Sequence, residues 1–268
     1  KYCNQAACDL IEYCIEEVQS WKPGELLKLY HPEDAEFVND QQQKKQIGLE
    51  KDVVPHYAYR IITRSGKTIW VEQYSKTIQY EERPAELATI VDITERKIAE
   101  QRLHHLATHD PLTNLPNRNL FFDRLNHARA LPKRNDSHVA LLFIDLDGFK
   151  SVNDEHGHEN GDLVLQELAS RLKEGARASD TIARLSGDEF IYILENVSDD
   201  VHPSKVAERL LSSINLPFYI NGDEVVLTAS IGVSVFPEDG DDPHDLLRNA
   251  DIAMYRNKES GKNGFMMY

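Results

Sequence analysis

The sequence predicts an α+β fold in two parts. A small antiparallel sheet with helices is followed by a larger mixed sheet flanked by helices, with one helix joining them. Three observations carry this. In residues 1–94, β-like stretches separated by turn residues follow a helical opening. From residue 109 onward, helical and strand-like segments interleave, with hairpins among them. Between the two lies "DITERKIAEQRLHHLATHD", a charged stretch with a narrow apolar stripe of Ile98, Ala99, Leu103 and Leu106.

In chain order, "NQAACDLIEYCIEEVQ" predicts one opening helix, and a loop at Pro23-Gly24 leads to "HPEDAEF", a capped helix start. "PHYAYRIITR", "KTIWVEQYSKTIQY" and "ELATIVDIT" read as strands, the first two turning at Ser65-Gly66. Thr94 is the expected N-cap of the joining helix, which covers 95–108. Its stripe suits a connector pairing with its copy in a homodimer, or a linker lying on one of the domains. Beyond it, "NRNLFFDRLNHARAL" is a helix and "HVALLFIDLD" a buried strand that meets carboxylates, its end set at Asp145. "DLVLQELASRLKEG" is a helix, "DTIARL" and "FIYILE" a hairpin, and "HPSKVAERLLSSI" a helix. A hairpin through Asn221-Gly222 enters "VVLTASIGVSVF"; "DPHDLLRNADIAMYRNKES" is the last long helix and "FMMY" a closing strand.

Composition narrows the function. The 268 residues suit one large domain or two ordinary ones, and 41% hydrophobic content supports real cores. A formal net charge of −15 excludes non-specific binding to nucleic acid or an anionic membrane, which would repel this surface. An anionic ligand therefore needs a cation or a local cluster of Lys and Arg. Cys3, Cys8 and Cys14 fit neither a zinc pattern nor a disulfide framework, which points to a reducing, cytoplasmic compartment. No run reaches membrane-spanning length. The chain starts at Lys rather than Met and reads as a fragment, which leaves room for a membrane anchor outside it.

Carboxylates concentrate where strands meet turns. Asp145 follows a buried apolar run, where an unpaired charge is costly, and a hard cation relieves that cost. Asp188, in "RLSGDEF", enters a second strand; if the two strands are neighbours, both carboxylates reach one metal. Gly148 brings backbone N–H groups near phosphate oxygens, and Lys150 lies two residues on. Lys258 and Lys262, four apart near the end of the last helix, are placed to share a face. Asn153 and Asp162 carry the groups that read guanine, because a carboxylate accepts the ring N–H and exocyclic amine together. Taken singly, each of these residues also fits an ordinary turn or a solvated helix face.

Together, "DPLTNLPNR", "FIDLDGFKSVNDEHGHENGD", "RLSGDEF", "ASIGVSVFP" and "ADIAMYRNKESGKN" resemble, in order and spacing, the GGDEF-domain diguanylate cyclases over residues 105–268. The resemblance implies a nucleotidyl-cyclase palm-like fold, and condensation of two GTP into cyclic di-GMP with release of pyrophosphate by a homodimer. It implies that Asp145, the Leu146 carbonyl, Asp188 and Glu189 bind Mg²⁺ or Mn²⁺, with Asp188, Glu189 and Lys150 catalytic. Asn153 and Asp162 would hold guanine, while Gly148, Phe149, Lys150, Ser186, Gly187, Lys258 and Lys262 would meet the rest of GTP. Arg177 and Asp180 in "RASD", with Arg209, resemble the family's inhibitory cyclic di-GMP site; Arg177 and Asp180 also suit a surface ion pair at a helix end.

Residues 1–97 resemble a PAS sensory domain with its C-terminal extension, through "NQAACDLIEY", "HPEDAEF", "YRIITRSGKTIWVEQ" and "DITERK". The first strand usual in that family is not visible, and no PAS ligand is assigned. The domain plan is thus PAS over 1–94, a signalling helix over 95–108 and GGDEF over 109–268. Two departures stand out: Ser186 replaces the first glycine of the name-giving motif, and Lys262 stands where arginine is common. A hydroxymethyl group at Ser186 is expected to crowd the nucleotide. The rival reading is a GTP-binding module that does not cyclise and instead regulates a cyclic di-GMP phosphodiesterase domain beyond the chain's end.

Overall fold

The computed structural model describes residues 3–22, 24–46, 54–80, 82–130, 138–198 and 202–268. Pro23 of the predicted loop and Leu131 of the predicted helix lie outside these. The chain divides into two compact units, Lys1–Leu103 and His104–Tyr268.

In the first unit the predicted opening helix is two helices, α1 (Gln5–Ile11) and α2 (Ile15–Ser20). Helical periodicity runs through the break, which tertiary contacts impose. Glu12 takes a left-handed conformation, and its carboxylate accepts the Ser65 N–H at 2.8 Å. The Arg64 N–H reaches the Ile11 carbonyl, so a hairpin tip holds the corner between the helices. Helix α3 (Pro32–Gln46) begins with Pro at its first position. Strands β1 (His56–Ile62), β2 (Thr68–Tyr80) and β3 (Arg83–Asp92) form an antiparallel sheet in that order. Gly66, at φ +86, supplies the left-handed residue that the β1–β2 turn requires. Tyr57, Tyr59, Ile61, Ile69 and Val71 project from one face of the sheet onto Cys8, Ile11, Val18, Leu29 and Val38.

Helix α4 (Thr94–Thr108) starts one residue before the predicted span. Thr94 is not its N-cap. Asp92 accepts the Thr94 N–H at 2.8 Å, while the Thr94 hydroxyl accepts the Trp70 N–H at 2.9 Å. The threonine fastens the helix start to β2 instead. No residue of α4 is buried, and Ile98, Leu103 and Leu106 are all exposed.

The second unit contains α5 (Arg118–Ala130), β4 (His138–Asp147), α6 (Phe149–His156), α7 (His158–Glu174), β5 (Thr181–Ser186), β6 (Glu189–Val197) and α8 (Pro203–Ile214). The short strands β7 (Phe218–Ile220) and β8 (Asp223–Val225) follow, then β9 (Thr228–Phe236), α9 (Pro243–Glu259) and β10 (Gly264–Met267). The main sheet has the order β10-β9-β4-β6-β5, with β10 and β9 parallel and the other pairs antiparallel. Asn221 and Gly222, both at positive φ, turn β7 into β8 as their sequence predicts.

Helices cover both faces of the sheet, which is why β4 is apolar at successive positions rather than alternate ones. Leu142, Ile144 and Leu146 pack with Val164, Leu168 and Leu172 of α7 and Leu210 of α8. Leu141 and Phe143 face the other way, onto Phe121 and Leu125 of α5 and Ala250 and Met254 of α9. Helix α9 lies directly on β9 at Gly232, where a Cβ would stand 1.9 Å from the Ala250 carbonyl oxygen. That close approach brings the end of α9 to the carboxylates at the end of β4.

Candidate active site at the β4 edge and the β5–β6 turn

Asp145 lies within β4, which continues to Asp147 rather than ending at Asp145. It pairs across the ladder with Glu189 of β6, so the two strands are neighbours and the condition for a shared site holds. Opposed like charges destabilise a sheet, and carboxylates in this register need an outside reason. Asp188 sits beside them in the two-residue turn with Gly187, whose φ of +48 suits glycine.

Asp145 is almost buried. Burial raises its carboxyl above the usual range, the Lys258 ammonium pulls it down, and Asp188 and Glu189 push it up again. Lys258 Nζ is 2.6 Å from Asp145 Oδ1, yet among the described residues no donor is aligned on that enclosed oxygen for a hydrogen bond. Lys258 therefore stands at the site paired with a carboxylate. Asp147, two residues on, is different: its oxygens accept the Thr228 hydroxyl at 2.7 Å, the Ser230 hydroxyl at 2.9 Å and the Asn263 N–H at 3.1 Å. It ties β4 to β9 and to the turn before β10.

The predicted pairing of Lys258 with Lys262 on one helix face does not hold. Helix α9 ends at Glu259, and Lys262 lies beyond it with φ +64. Its N–H returns to the Asn257 carbonyl, closing the turn after the helix.

Gly148, at φ +80, starts α6 with no side chain capping the helix. The Phe149 side chain is buried in the core, which leaves only its backbone at the surface there; Lys150 is exposed. Asn153 of α6 lies against α7 at Gly161, where a Cβ would stand 1.9 Å from Asn153 Oδ1. Asp162 follows Gly161 and is exposed, so the two guanine-reading candidates share one helix corner.

The hairpin is braced from both sides. Arg184 donates to the Gly187 carbonyl at 2.9 Å and to Asp110 Oδ1 at 2.8 Å, and Asp110 also accepts from the Thr113 N–H and hydroxyl. Arg184 and Asp110 lie inside "RLSGDEF" and "DPLTNLPNR", but nothing in the sequence marks them as partners. Across the turn, the Ser186 hydroxyl donates to Glu189 Oε2 at 2.6 Å.

"RASD" is a turn before β5 rather than a helix end, since α7 stops at Glu174. Asp180 Oδ2 accepts the Arg177 backbone N–H at 3.2 Å and the hydroxyl of buried Tyr192 at 2.6 Å. The aspartate organises the turn, and no ion pair joins it to Arg177 among the described residues. Arg177 is exposed, and Arg209 Nε lies 4.0 Å from where a Cβ on Gly175 would be, beside the same turn. A tyrosine in a β-run such as "FIYILE" reads as core, so the sequence carries no sign of the Tyr192 hydroxyl on Asp180.

Among the described residues, no three acidic, histidine or cysteine side chains form a ready group for a metal. The donors nevertheless fit magnesium. They are hard oxygens, Asp145 Oδ1 lacks an aligned donor among the described residues, and magnesium is held by one or two carboxylates together with phosphates and water. Asp145, Asp188 and Glu189 would hold it.

The diguanylate cyclase GGDEF-domain model matches residues 107–264, and the PAS-fold model matches residues 1–91. The chain belongs to the GGDEF-domain diguanylate cyclase family, with an N-terminal PAS domain. It is 46% identical over 183 residues to MucR, a bifunctional diguanylate cyclase/cyclic di-GMP phosphodiesterase of Pseudomonas aeruginosa, covering 68% of this chain and 27% of that protein. To PdeR, a cyclic di-GMP phosphodiesterase of Escherichia coli, it is 37% identical over 177 residues, covering 66% of this chain and 26% of that protein. It thus spans about a quarter of the length of these relatives. The coiled coil and GGDEF domain of Caulobacter crescentus DgcB, solved with c-di-GMP, superposes with a TM-score of 0.59 at 27% identity, covering 66% of this chain and 93% of that one. Among the described residues, no helix of this GGDEF protein is long and apolar enough to cross a membrane.

Proposed function

We propose that the chain is a diguanylate cyclase, condensing two GTP into cyclic di-GMP with release of pyrophosphate. The observation that carries the reading is the direct opposition of Asp145 and Glu189 on neighbouring strands, with Asp188 in the turn between β5 and β6. One ammonium, that of Lys258, stands against three carboxylates, and a divalent cation would offset the charge that remains. The chemistry that Mg²⁺ or Mn²⁺ would supply there is neutralisation of the triphosphate and polarisation of the α-phosphate.

The chain's own residues do the rest. Asn153 and Asp162 hold guanine, the backbone at Gly148 and Phe149 and the Lys150 ammonium meet phosphate oxygens, and Ser186 and Gly187 flank the nucleotide. Lys258 exchanges its pairing with Asp145 for the phosphates when nucleotide binds, and Lys262 adds charge beyond the helix end. Each GGDEF domain holds one GTP, so two must face each other in a homodimer, assembled through the PAS domain and the apolar stripe of α4. The plan of PAS over 1–94, signalling helix over 95–108 and GGDEF over 109–268 goes with this reading. Arg177, Asp180 and Arg209 bind the product and inhibit. GTP as substrate places the catalytic half in the cytoplasm.

A second reading is a GGDEF module that binds GTP without cyclising it and regulates an adjoining phosphodiesterase domain. It draws on the phosphodiesterase activities named for MucR and PdeR, both much longer than this chain. One experiment separates the two. The protein is incubated with GTP and Mg²⁺ and the products are separated by chromatography. Cyclic di-GMP is expected from the wild type and none from Asp188→Asn. GTP binding without cyclic di-GMP at dimer-promoting concentrations refutes the cyclase reading and leaves the second.

A further inference from the structure

We infer that Ser186 is a positioning residue that sets the choice of cation at Glu189. The inference rests on the cyclase reading and deepens it. Ser186 and Glu189 are partners at the closed end of the β5–β6 hairpin, and the serine O–H donates to Glu189 Oε2 at 2.6 Å. Ser186 therefore turns toward the glutamate rather than standing as a free hydroxymethyl group in the nucleotide's path. The turn that carries both residues is fixed independently, by Arg184 on the Gly187 carbonyl.

A half-exposed glutamate ordinarily loses side-chain entropy when it is held to a ligand. The serine imposes that order beforehand, through a charge-assisted hydrogen bond. It also makes the two carboxylate oxygens unequal. Oε2 is engaged by the hydroxyl, and Oε1 remains the stronger donor. Single-oxygen coordination suits Mg²⁺, which demands octahedral geometry at about 2.0–2.1 Å, whereas Ca²⁺ readily takes both oxygens of a carboxylate. A glycine at position 186 offers no hydroxyl, so this discrimination belongs to the serine.

The test is calorimetric titration of Mg²⁺ and, separately, Ca²⁺ into the full chain with 3′-deoxy-GTP, which lacks the attacking hydroxyl. The nucleotide's own affinity for cations is common to all variants and cancels in the comparison. Ser186→Ala and Ser186→Gly are each expected to lower the preference for Mg²⁺ over Ca²⁺ by about three- to tenfold, the worth of one charge-assisted hydrogen bond at a half-exposed site. Ser186→Thr, which keeps the hydroxyl, retains the preference. In a Glu189→Gln background, Ser186→Ala has no further effect. An unchanged preference in the alanine and glycine variants, or equal weakening of both cations, overturns the inference alone. A wild-type protein that takes up neither cation beyond the nucleotide's own binding overturns the metal reading, and this inference with it.

Discussion

Gly232→Ala tests whether the close approach of α9 to β9 is what delivers Lys258 to Asp145. The added methyl would lie 1.9 Å from the Ala250 carbonyl oxygen, 2.2 Å from the Met254 nitrogen and 2.8 Å from the Met254 Cα. All three are helix backbone, so no side chain can swing aside. An ordinary contact is about 3.5 Å, which obliges the helix to retreat by roughly 1.5 Å at this point. Leu246, Leu247, Ala250 and Met254 would then lift from Leu141, Phe143 and Ile191. Overpacking of a close-packed core costs about 1–3 kcal/mol, and a clash confined to backbone belongs at or above the top of that range. Urea unfolding followed by far-UV circular dichroism reads the loss. Fluorescence identifies the other unit's transition, since Trp21 and Trp70 are the chain's two tryptophans and both lie in the first unit. Cyclase turnover should fall as well, because Lys258 rides on the displaced helix. A stability change below about 0.5 kcal/mol would refute the reasoning, since it would mean the helix has slack at Gly232.

Other residues give equally direct outcomes. Hydrogen bonds from His56, then Arg96 and Tyr74, hold the Glu72 carboxyl down at about 2, below its ordinary 4.5. A depressed carboxylate contributes stability above its unfolded pKa and loses it as pH falls through the folded one. Melting temperatures read by tryptophan fluorescence should therefore fall between pH 4.5 and 2, and less steeply in Glu72→Gln; parallel curves would remove Glu72 from the account. Arg177→Ala should raise the cyclic di-GMP concentration for half-inhibition by about tenfold, the value of a guanidinium fork on a guanine edge. Asp147→Asn should destabilise the second unit by about 2–3 kcal/mol in urea, because three donors lose a charged acceptor.

Where period and turn chemistry agree, the sequence was explicit. The continuous apolar run of β4 announced a strand covered on both sides, and Asn221-Gly222 announced its hairpin. What stayed hidden was decided by contacts distant in the chain. Glu12 breaks the opening helix because Ser65, far along the sequence, offers it an N–H. Thr94 gives up its capping role because Trp70 claims the hydroxyl. Lys262 leaves the helix face because the chain closes on Asn257, and a four-residue spacing carries no sign of where a helix stops. Arg184 and Asp110 were legible as motif letters, but their joining needs β5 to run past the turn at Asp110–Leu115, and the two are 74 positions apart.

The pair Asp145 and Asp147 shows how the candidate site emerges from this. In sequence they are near twins: two aspartates with one residue between them at the edge of a buried strand. Pattern alone cannot rank them, since both point to the same face of β4. The structure ranks them by acceptors. Asp147 meets two hydroxyls and one amide N–H, all from its own domain, and that set leaves little for a ligand to gain. Asp145 is more enclosed, faces Glu189 across the ladder, and among the described residues has only the Lys258 ammonium, at the end of a flexible stem, to offset its charge. A buried carboxyl crowded by like charge and short of aligned donors is unfavourable for folding alone. Its arrangement makes physical sense as one half of a site whose other half arrives with the nucleotide and its cation.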